Sequence, residues 1–214
     1  MKTLDELQIG HLHYLAPLSN AASILVRGIL SYNRAKLLPH CDASNWGVQR
    51  LRGQLIVPNT SRSLHDFVPL FFATHTPMQY VLTQGYFASM KQHDLVVFEI
   101  SASKAFAKRG RVFSDGNAAA CGTKFYRKLR DLHCLDWNII RTYNAYSPKY
   151  KRIKSAELLV PDRVPPEMII SVRTIDFSVC KLLRRQVREW CKRHQLICPE
   201  LRYFNVTADT THFY

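Results

Sequence analysis

Glu157 is the carboxylate whose setting offers chemistry. It opens the apolar run Glu157-Leu158-Leu159-Val160 and follows the basic segment Lys149-Tyr150-Lys151-Arg152-Ile153-Lys154. Two readings stand for it. One is a salt-bridged or solvent-facing strand residue; the other is a carboxylate aimed into a cleft from a rigid element, where active-site groups are best held. Arg52, in Val48-Gln49-Arg50-Leu51-Arg52, is either a solvated loop cation or a bidentate grip on a phosphate. Phe71 and Phe72 read as core, with a ring over a flat cationic heterocycle as the alternative. Asp115-Gly116-Asn117 reads as a turn built on local hydrogen bonds.

Other chemistries are not written here. None of the 8 glycines forms G-x-G-x-x-G or G-x4-G-K-[ST], so neither a Rossmann nor a P-loop phosphate cradle is expected. G-x-S-x-G and H-E-x-x-H are absent as well. The 6 cysteines contain no C-x-x-C pair, and their scatter suggests no disulfide framework. Cys191-x2-His194-x3-Cys198 would share one face of a helix, but a fourth ligand is missing, so core packing is expected and metal binding is not.

The charge is uneven. Of 30 Lys plus Arg and 16 Asp plus Glu, residues 1–100 hold 8 basic and 6 acidic side chains (net +2). Residues 101–214 hold 22 and 10 (net +12). Such an excess on one half usually faces a polyanion, nucleic acid or an anionic membrane. No apolar run approaches the roughly 18 residues of a membrane span. The start, Met1-Lys2-Thr3-Leu4-Asp5-Glu6, lacks the apolar core of a signal peptide, so a cytoplasmic location is expected. If nucleic acid is the partner, its contacts can be named. Lys149, Lys151, Arg152 and Lys154 would track its phosphates, and Tyr143, Tyr146 and Tyr150 could stack its bases.

These residues need elements to position them. The 47% hydrophobic content suffices for a proper core, and no repeat or linker divides residues 1–214, so a single domain is expected. Residues 18–30 read as a short helix with Ser19 or Asn20 as N-cap and Gly28 as its stop. Residues 34–65 read as a long irregular loop. Pro69–Ala73, Asp94–Ile100, Ala156–Val160 and Ile169–Ile175 read as strands. Thr76–Thr83 reads as a helix opened by Pro77. Lys104–Arg111 reads as a basic loop, and Thr123–Leu132 as an amphipathic helix. Lys181–His194 reads as a basic helix whose stripe is Leu182, Leu183, Val187, Trp190 and Cys191. Short strands mixed with helices, without β-α-β alternation, argue an α+β fold.

Five blocks in order resemble the DarT family of nucleic-acid ADP-ribosyltransferases. They are His13-Tyr14-Leu15-Ala16-Pro17 with Asn20 and Ser23 to Ser31; Leu64 to Phe72 with Pro77-Met78-Gln79-Tyr80; Ser114-Asp115-Gly116-Asn117-Ala118-Ala119; Thr123-Lys124-Phe125-Tyr126; and Lys154 to Asp162. Together they span residues 13–175. The resemblance implies a single α+β ADP-ribosyltransferase domain over 1–214, with a central, mostly antiparallel split β-sheet flanked by helices. It implies an NAD site built from residues 13–80 and 114–160, with a basic part at 181–214. The reaction it implies cleaves NAD without a metal and attaches ADP-ribose to a base in single-stranded DNA or RNA.

Carried over by position, Glu157 matches the catalytic glutamate and Arg52 an arginine that grips the NAD phosphates. Phe71 stands beside the nicotinamide, where the family usually has Tyr. Asn117 lines the site. His13 or Tyr14, with Asn20 and Ser31, line the adenosine end, and Tyr80 falls in a cofactor-binding block. His75 takes the place of a basic contact to nucleic acid. Family members are typically toxins, often in phage defence, so an antitoxin that removes ADP-ribose or binds directly is an implied partner. A non-catalytic nucleic-acid-binding protein would explain the charge but leaves the blocks unaccounted for. A protein-modifying ADP-ribosyltransferase explains Glu157 but less easily the charge.

Overall fold

Strands that are apolar and buried along most of their length build a sheet packed on both faces. The computed structural model describes residues 2–84, 90–144, 147–196 and 204–214. Its strands are β1 (His11–Pro17), β2 (Ile29–Leu30), β3 (Phe67–Phe71), β4 (Leu95–Ser101), β5 (Val112–Ser114), β6 (Phe125–Tyr126), β7 (Glu157–Pro161), β8 (Arg163–Val164), β9 (Ile169–Thr174) and β10 (Val206–Ala208). Eight of them form one sheet in the order β10-β9-β4-β1-β3-β7-β5-β6, and β2 pairs with β8 apart from it. Only β10 and β9 run parallel; the other named pairs are antiparallel. The expected mostly antiparallel α+β sheet is what forms.

The helices are α1 (Lys2–Glu6), α2 (Ala21–Arg27), α3 (Tyr32–Ala35), α4 (Trp46–Gln54), α5 (Pro77–Thr83), α6 (Ala102–Ala107), α7 (Trp137–Ile140), α8 (Pro148–Lys154) and α9 (Phe177–Arg193). Strand side chains alternate between faces. Leu12, Val68, Leu70, Phe98, Ile100, Leu158, Val160 and Val172 point to one side, where Leu25 of α2 and Val179, Leu183 and Val187 of α9 close the main core. The opposite side carries Leu15, Leu95 and Val97 with Leu82 of α5 and Phe213. No helix of the described residues is long and apolar enough to cross a membrane.

Several local expectations hold. Gly28 ends α2 at φ 81°, and a Cβ there would lie 2.2 Å from the Val164 carbonyl oxygen, so the stop also seats β8. Thr76 caps α5 by accepting from the Gln79 amide, with Pro77 in the first turn. Asn20 stands at the N-cap of α2 but makes no capping bond.

Four expectations change. The loop read over 34–65 contains α4, capped by Asn45 accepting from the Val48 amide; α4 buries none of its residues, so it shows no apolar stripe. The first half of the basic loop Lys104–Arg111 is helical, because Ala102, Ala105 and Phe106 insert into the core. Thr123–Leu132 is not an amphipathic helix: it holds β6, whose Tyr126 stacks on Phe113, and the start of a 3-10 turn over Leu129–Cys134. In α9 the stripe runs through Val179, Cys180, Leu183 and Val187, while Leu182 is exposed. His194 stacks on Trp190, Cys191 is partly buried, and Cys198 lies outside the described residues, as does Tyr146.

Candidate active site

Cross-strand register draws one row across the second face of the sheet. Glu157 pairs with Phe71, Phe71 with His13, His13 with Glu99, and Glu99 with Ser171. Residues directly opposite on antiparallel strands share a face, so two carboxylates and an imidazole lie along one line.

At the Glu157 end the row opens into a cavity of about 460 Å³. It is lined by Glu157, Phe71, Arg52 and Asn117, by Tyr14 and Asn20, and by Pro77, Met78, Val81 and Leu82 of α5. A concave, mostly apolar chamber with a few convergent polar groups is what a cofactor-sized ligand needs. The segment His40–Asn45 forms part of its wall. Asn20 clamps that segment twice, its amide donating to the Cys41 carbonyl at 2.8 Å and its carbonyl accepting from the Cys41 amide at 2.9 Å.

Glu157 is buried, at 1% exposure. Arg52 reaches it from the last turn of α4: its two terminal nitrogens donate to the two carboxylate oxygens at 3.0 and 3.1 Å. The Ala118 amide donates a third bond, at 2.9 Å. That backbone donor is offered by the turn after Ser114. Gly116 is required there, because a Cβ would meet the Arg152 carbonyl oxygen at 2.9 Å and its guanidinium at 2.5 Å. Asn117 fixes the turn through its side-chain oxygen, which accepts from the Ala119 amide, and through its own amide, which donates to the Arg152 carbonyl. Arg52 uses two of the five N–H donors of a guanidinium on Glu157.

Tyr14 reaches the cavity wall, and burial with nearby Asp42 pushes its phenol up to about 12. His13, in contrast, does not line the cavity. It is buried behind it, and burial with nearby His212 pushes its imidazole down to about 4; its Nδ1 has no partner among the described residues. Ser31 is also off the cavity: it is buried at the N-cap of α3, and its neighbours Leu30 and Tyr32 form the wall instead. Tyr80 is off the cavity too, exposed on α5 with its ring edge against Tyr214.

The residues expected on nucleic acid separate into two groups. Lys149 and Lys151 are exposed on α8. Arg152 is not free to follow a strand, since it pairs with Asp115 at 3.0 Å and carries the Gly116 turn on its carbonyl. Lys154 is 1% exposed and donates to the carbonyls of Ile140 and Thr142, with burial pulling its amine down to about 8. Its place in a charge run concealed an internal brace. His75 is buried as well, between Tyr143 and Tyr214, and burial with nearby Lys154 lowers its imidazole.

Sequence reasoning missed the Ala118 amide, which no side-chain pattern could reveal, and the pair His65–Gln49, joined at 2.9 Å on the cavity wall. It also missed the far end of the row. There Glu99 takes bonds from Ser171, Arg173 and His212, and His212 and Arg173 both reach Asp209. Burial would raise Glu99, but those donors hold it well below the usual carboxylate range.

A family model described as "ssDNA thymidine ADP-ribosyltransferase, DarT" matches residues 13–194. The chain belongs to the DarT family. A DNA ADP-ribosyl transferase of Thermus aquaticus is 33% identical over 173 residues, covering 78% of this chain and 76% of the relative. A DNA ADP-ribosyl transferase-DNA ADP-ribosyl glycohydrolase fusion protein of Thermosipho africanus is 28% identical, over 90% of this chain and 49% of the fusion. Among solved structures, Thermus sp. 2.9 DarT in complex with ADP-ribosylated ssDNA superposes with a TM-score of 0.84 at 24% identity, over 97% of each chain. The same protein in complex with NAD+ gives 0.80 at 22% identity, over 97% and 98%. The chain therefore has the fold of those structures.

Proposed function

We propose that the chain transfers ADP-ribose from NAD to a thymine base of single-stranded DNA, releasing nicotinamide. The observation that carries this is the buried Glu157 carboxylate, gripped by Arg52 and facing a cavity of cofactor size, in a chain of the DarT family. The reading treats residues 1–214 as one domain, with the NAD site built from 13–80 and 114–160.

Breaking the bond between the ribose C1′ and nicotinamide sends the bonding pair to nicotinamide and leaves an oxocarbenium-like sugar. Glu157 is placed to stabilise that charge through the ribose hydroxyls. Arg52 holds Glu157 in register and turns its remaining donors to the pyrophosphate. Phe71, next to Glu157 across the strands, offers a ring face to the nicotinamide. Tyr14, Asn20 and Asn117 line the remainder of the cofactor. The base attacks C1′ through a ring nitrogen that bears a proton, and Glu157 takes that proton as the new N–C bond forms. Such a nitrogen is engaged in pairing within a duplex, so an unpaired strand is the fitting acceptor.

The fusion relative joins a transferase to a glycohydrolase in one chain, which supports a toxin whose product a partner removes and a place in a defence system. A cytoplasmic site of action fits a DNA substrate. The test is incubation with NAD and matched DNA and RNA oligonucleotides, following nicotinamide release and nucleoside masses. A thymidine enlarged by ADP-ribose in DNA alone is expected. Nicotinamide release with no modified nucleoside, or transfer to protein, overturns the reading.

A further inference from the structure

The densest basic surface lies on the side of the sheet away from the cavity. Over Phe177–Arg193, α9 carries six cations, Lys181, Arg184, Arg185, Arg188, Lys192 and Arg193, against one acid, Glu189. At 100° per residue, Lys181, Arg185, Arg188 and Lys192 fall within about 60° of one another. All four are exposed. The buried stripe of α9, through Val179, Leu183 and Val187, is on the opposite side of the helix and packs against the sheet face that carries Leu12, Phe98 and Val172. Glu157 and Phe71 are on the other face of that sheet. The cations thus form a ridge about 16 Å long, at 1.5 Å per residue, pointing away from the chemistry.

A merely solvated helix face usually mixes signs and gains from opposite charges at i, i+4. Here Lys181 with Arg185, and Arg188 with Lys192, are like pairs at that spacing, and among the described residues Arg185 alone of the four forms an ion pair with an acid, Glu189, at 2.8 Å. The repulsion is relieved when a regular polyanion lies along the ridge. We infer that α9 is a second nucleic-acid contact, a phosphate-backbone tether for the strand outside the catalytic cavity. The inference rests on nucleic acid being the substrate. Charge complementarity selects the occupant: phosphates at regular spacing match cations repeated along one stripe.

The experiment replaces Lys181, Arg185, Arg188 and Lys192 together by Gln, which keeps helix propensity and removes the charge. A second variant exchanges Lys for Arg and Arg for Lys at the same positions, conserving charge. Binding and turnover are measured on single-stranded DNA of about six nucleotides, too short to pass round a domain of this size, and of about forty, which is long enough. For the Gln variant on the long strand, the slope of log binding constant against log salt should flatten by about 3, at 0.7 per lost contact, and KM for that strand should rise. Turnover of the short strand and KM for NAD should stay as in the parent, and the charge-conserving variant should bind the long strand as the parent does. An unchanged slope overturns the tether, including the case in which the ridge serves an acidic protein. So does equal loss on both strands, or loss in the charge-conserving variant. Long-strand binding that depends on the ridge without any base modification by the parent chain would leave the tether standing and remove the proposed reaction instead.

Discussion

Glu157 and Glu99 occupy the same row of the same sheet face, each buried and each held by an arginine, yet they sit in opposite circumstances. Around Glu99, Ser171, Arg173 and His212 all donate to the carboxylate, and Asp209 ties Arg173 and His212 together. Two carboxylates, an arginine and an imidazole close on one another there. Around Glu157 there are Arg52, the Ala118 amide, and then the cavity. Burial and an arginine partner do not by themselves distinguish machinery from a brace. What marks Glu157 is the cavity that adjoins it, lined by Arg52 as well.

Exchanging the two carboxylates for Gln should separate these roles most sharply. Glu157→Gln keeps size and an acceptor but loses the anion, so transfer by the folded fraction should slow by ~10²–10³, and leaving Arg52 without its buried counter-charge should also lower stability. Glu99→Gln leaves Arg173 short of a buried counter-charge, which should cost about 3 kcal/mol of stability, read by denaturant titration. The transfer rate of its folded fraction should be close to the parent rate. A Glu99 variant that is stable but inactive would move that end of the row into the site.

The arginines offer a gentler version of the same contrast. Arg52→Lys keeps the charge but cannot reproduce the fork on Glu157 and still reach a phosphate. Losing one charge-assisted hydrogen bond, about 1.5–3 kcal/mol, should lower kcat/KM by roughly 10- to 100-fold, with KM for NAD raised. Unchanged NAD kinetics would leave Arg52 as a prop for Glu157 only.

Between the two carboxylates sits His13, whose effect is felt in pH. Its folded value, near 4, lies below the unfolded 6.5. Above 6.5 both states are neutral and the full stability is present; as pH falls from 6.5 towards 4 the unfolded chain takes the proton first, and stability is lost. His75, also lowered, acts in the same direction. Glu99, held low, adds its loss only below the ordinary carboxylate range. At pH 5 the His13 share should reach about 2 kcal/mol, at 1.4 kcal/mol per pH unit. His13→Asn should shrink the difference in unfolding free energy between pH 7 and pH 5 by that amount. An unchanged difference would show that His13 is not buried neutral.

The legible parts of this molecule are the ones written in local pattern. Glu157 stands out because it opens an apolar strand after basic residues, and Pro77 with Thr76 announces α5. The rest depends on contacts distant in sequence. The row from Glu157 to Ser171 exists only through the registers of five strands, and register is a property of pairing rather than of any one segment. Arg52 was legible as a residue but not as the end of a helix, because α4 is held at its N-terminus by an Asn45 cap and buries none of its own residues. The family resemblance supplied the pairing of Arg52 with the reaction. It placed His13 or Tyr14, Ser31 and Tyr80 at the cofactor, and of these only Tyr14 lines the cavity.

The run Lys149 to Lys154 gives the smallest and most local test, because it contains both kinds of cation. In α8, Ile153 and Lys154 turn inward, Arg152 is bound to Asp115, and Lys149 and Lys151 remain outside. If the exposed pair touches the strand near the cavity, Lys149→Gln with Lys151→Gln should flatten the salt slope of single-strand binding by about 1.4, at 0.7 per contact. Stability should change little, since neither lysine is buried. Lys154→Met should do the reverse. It strands the carbonyls of Ile140 and Thr142 without their donor, at about 1–3 kcal/mol, and leaves the salt slope alone. A salt slope that responds to Lys154 and not to Lys149 and Lys151 would mean that α8 turns over when DNA binds.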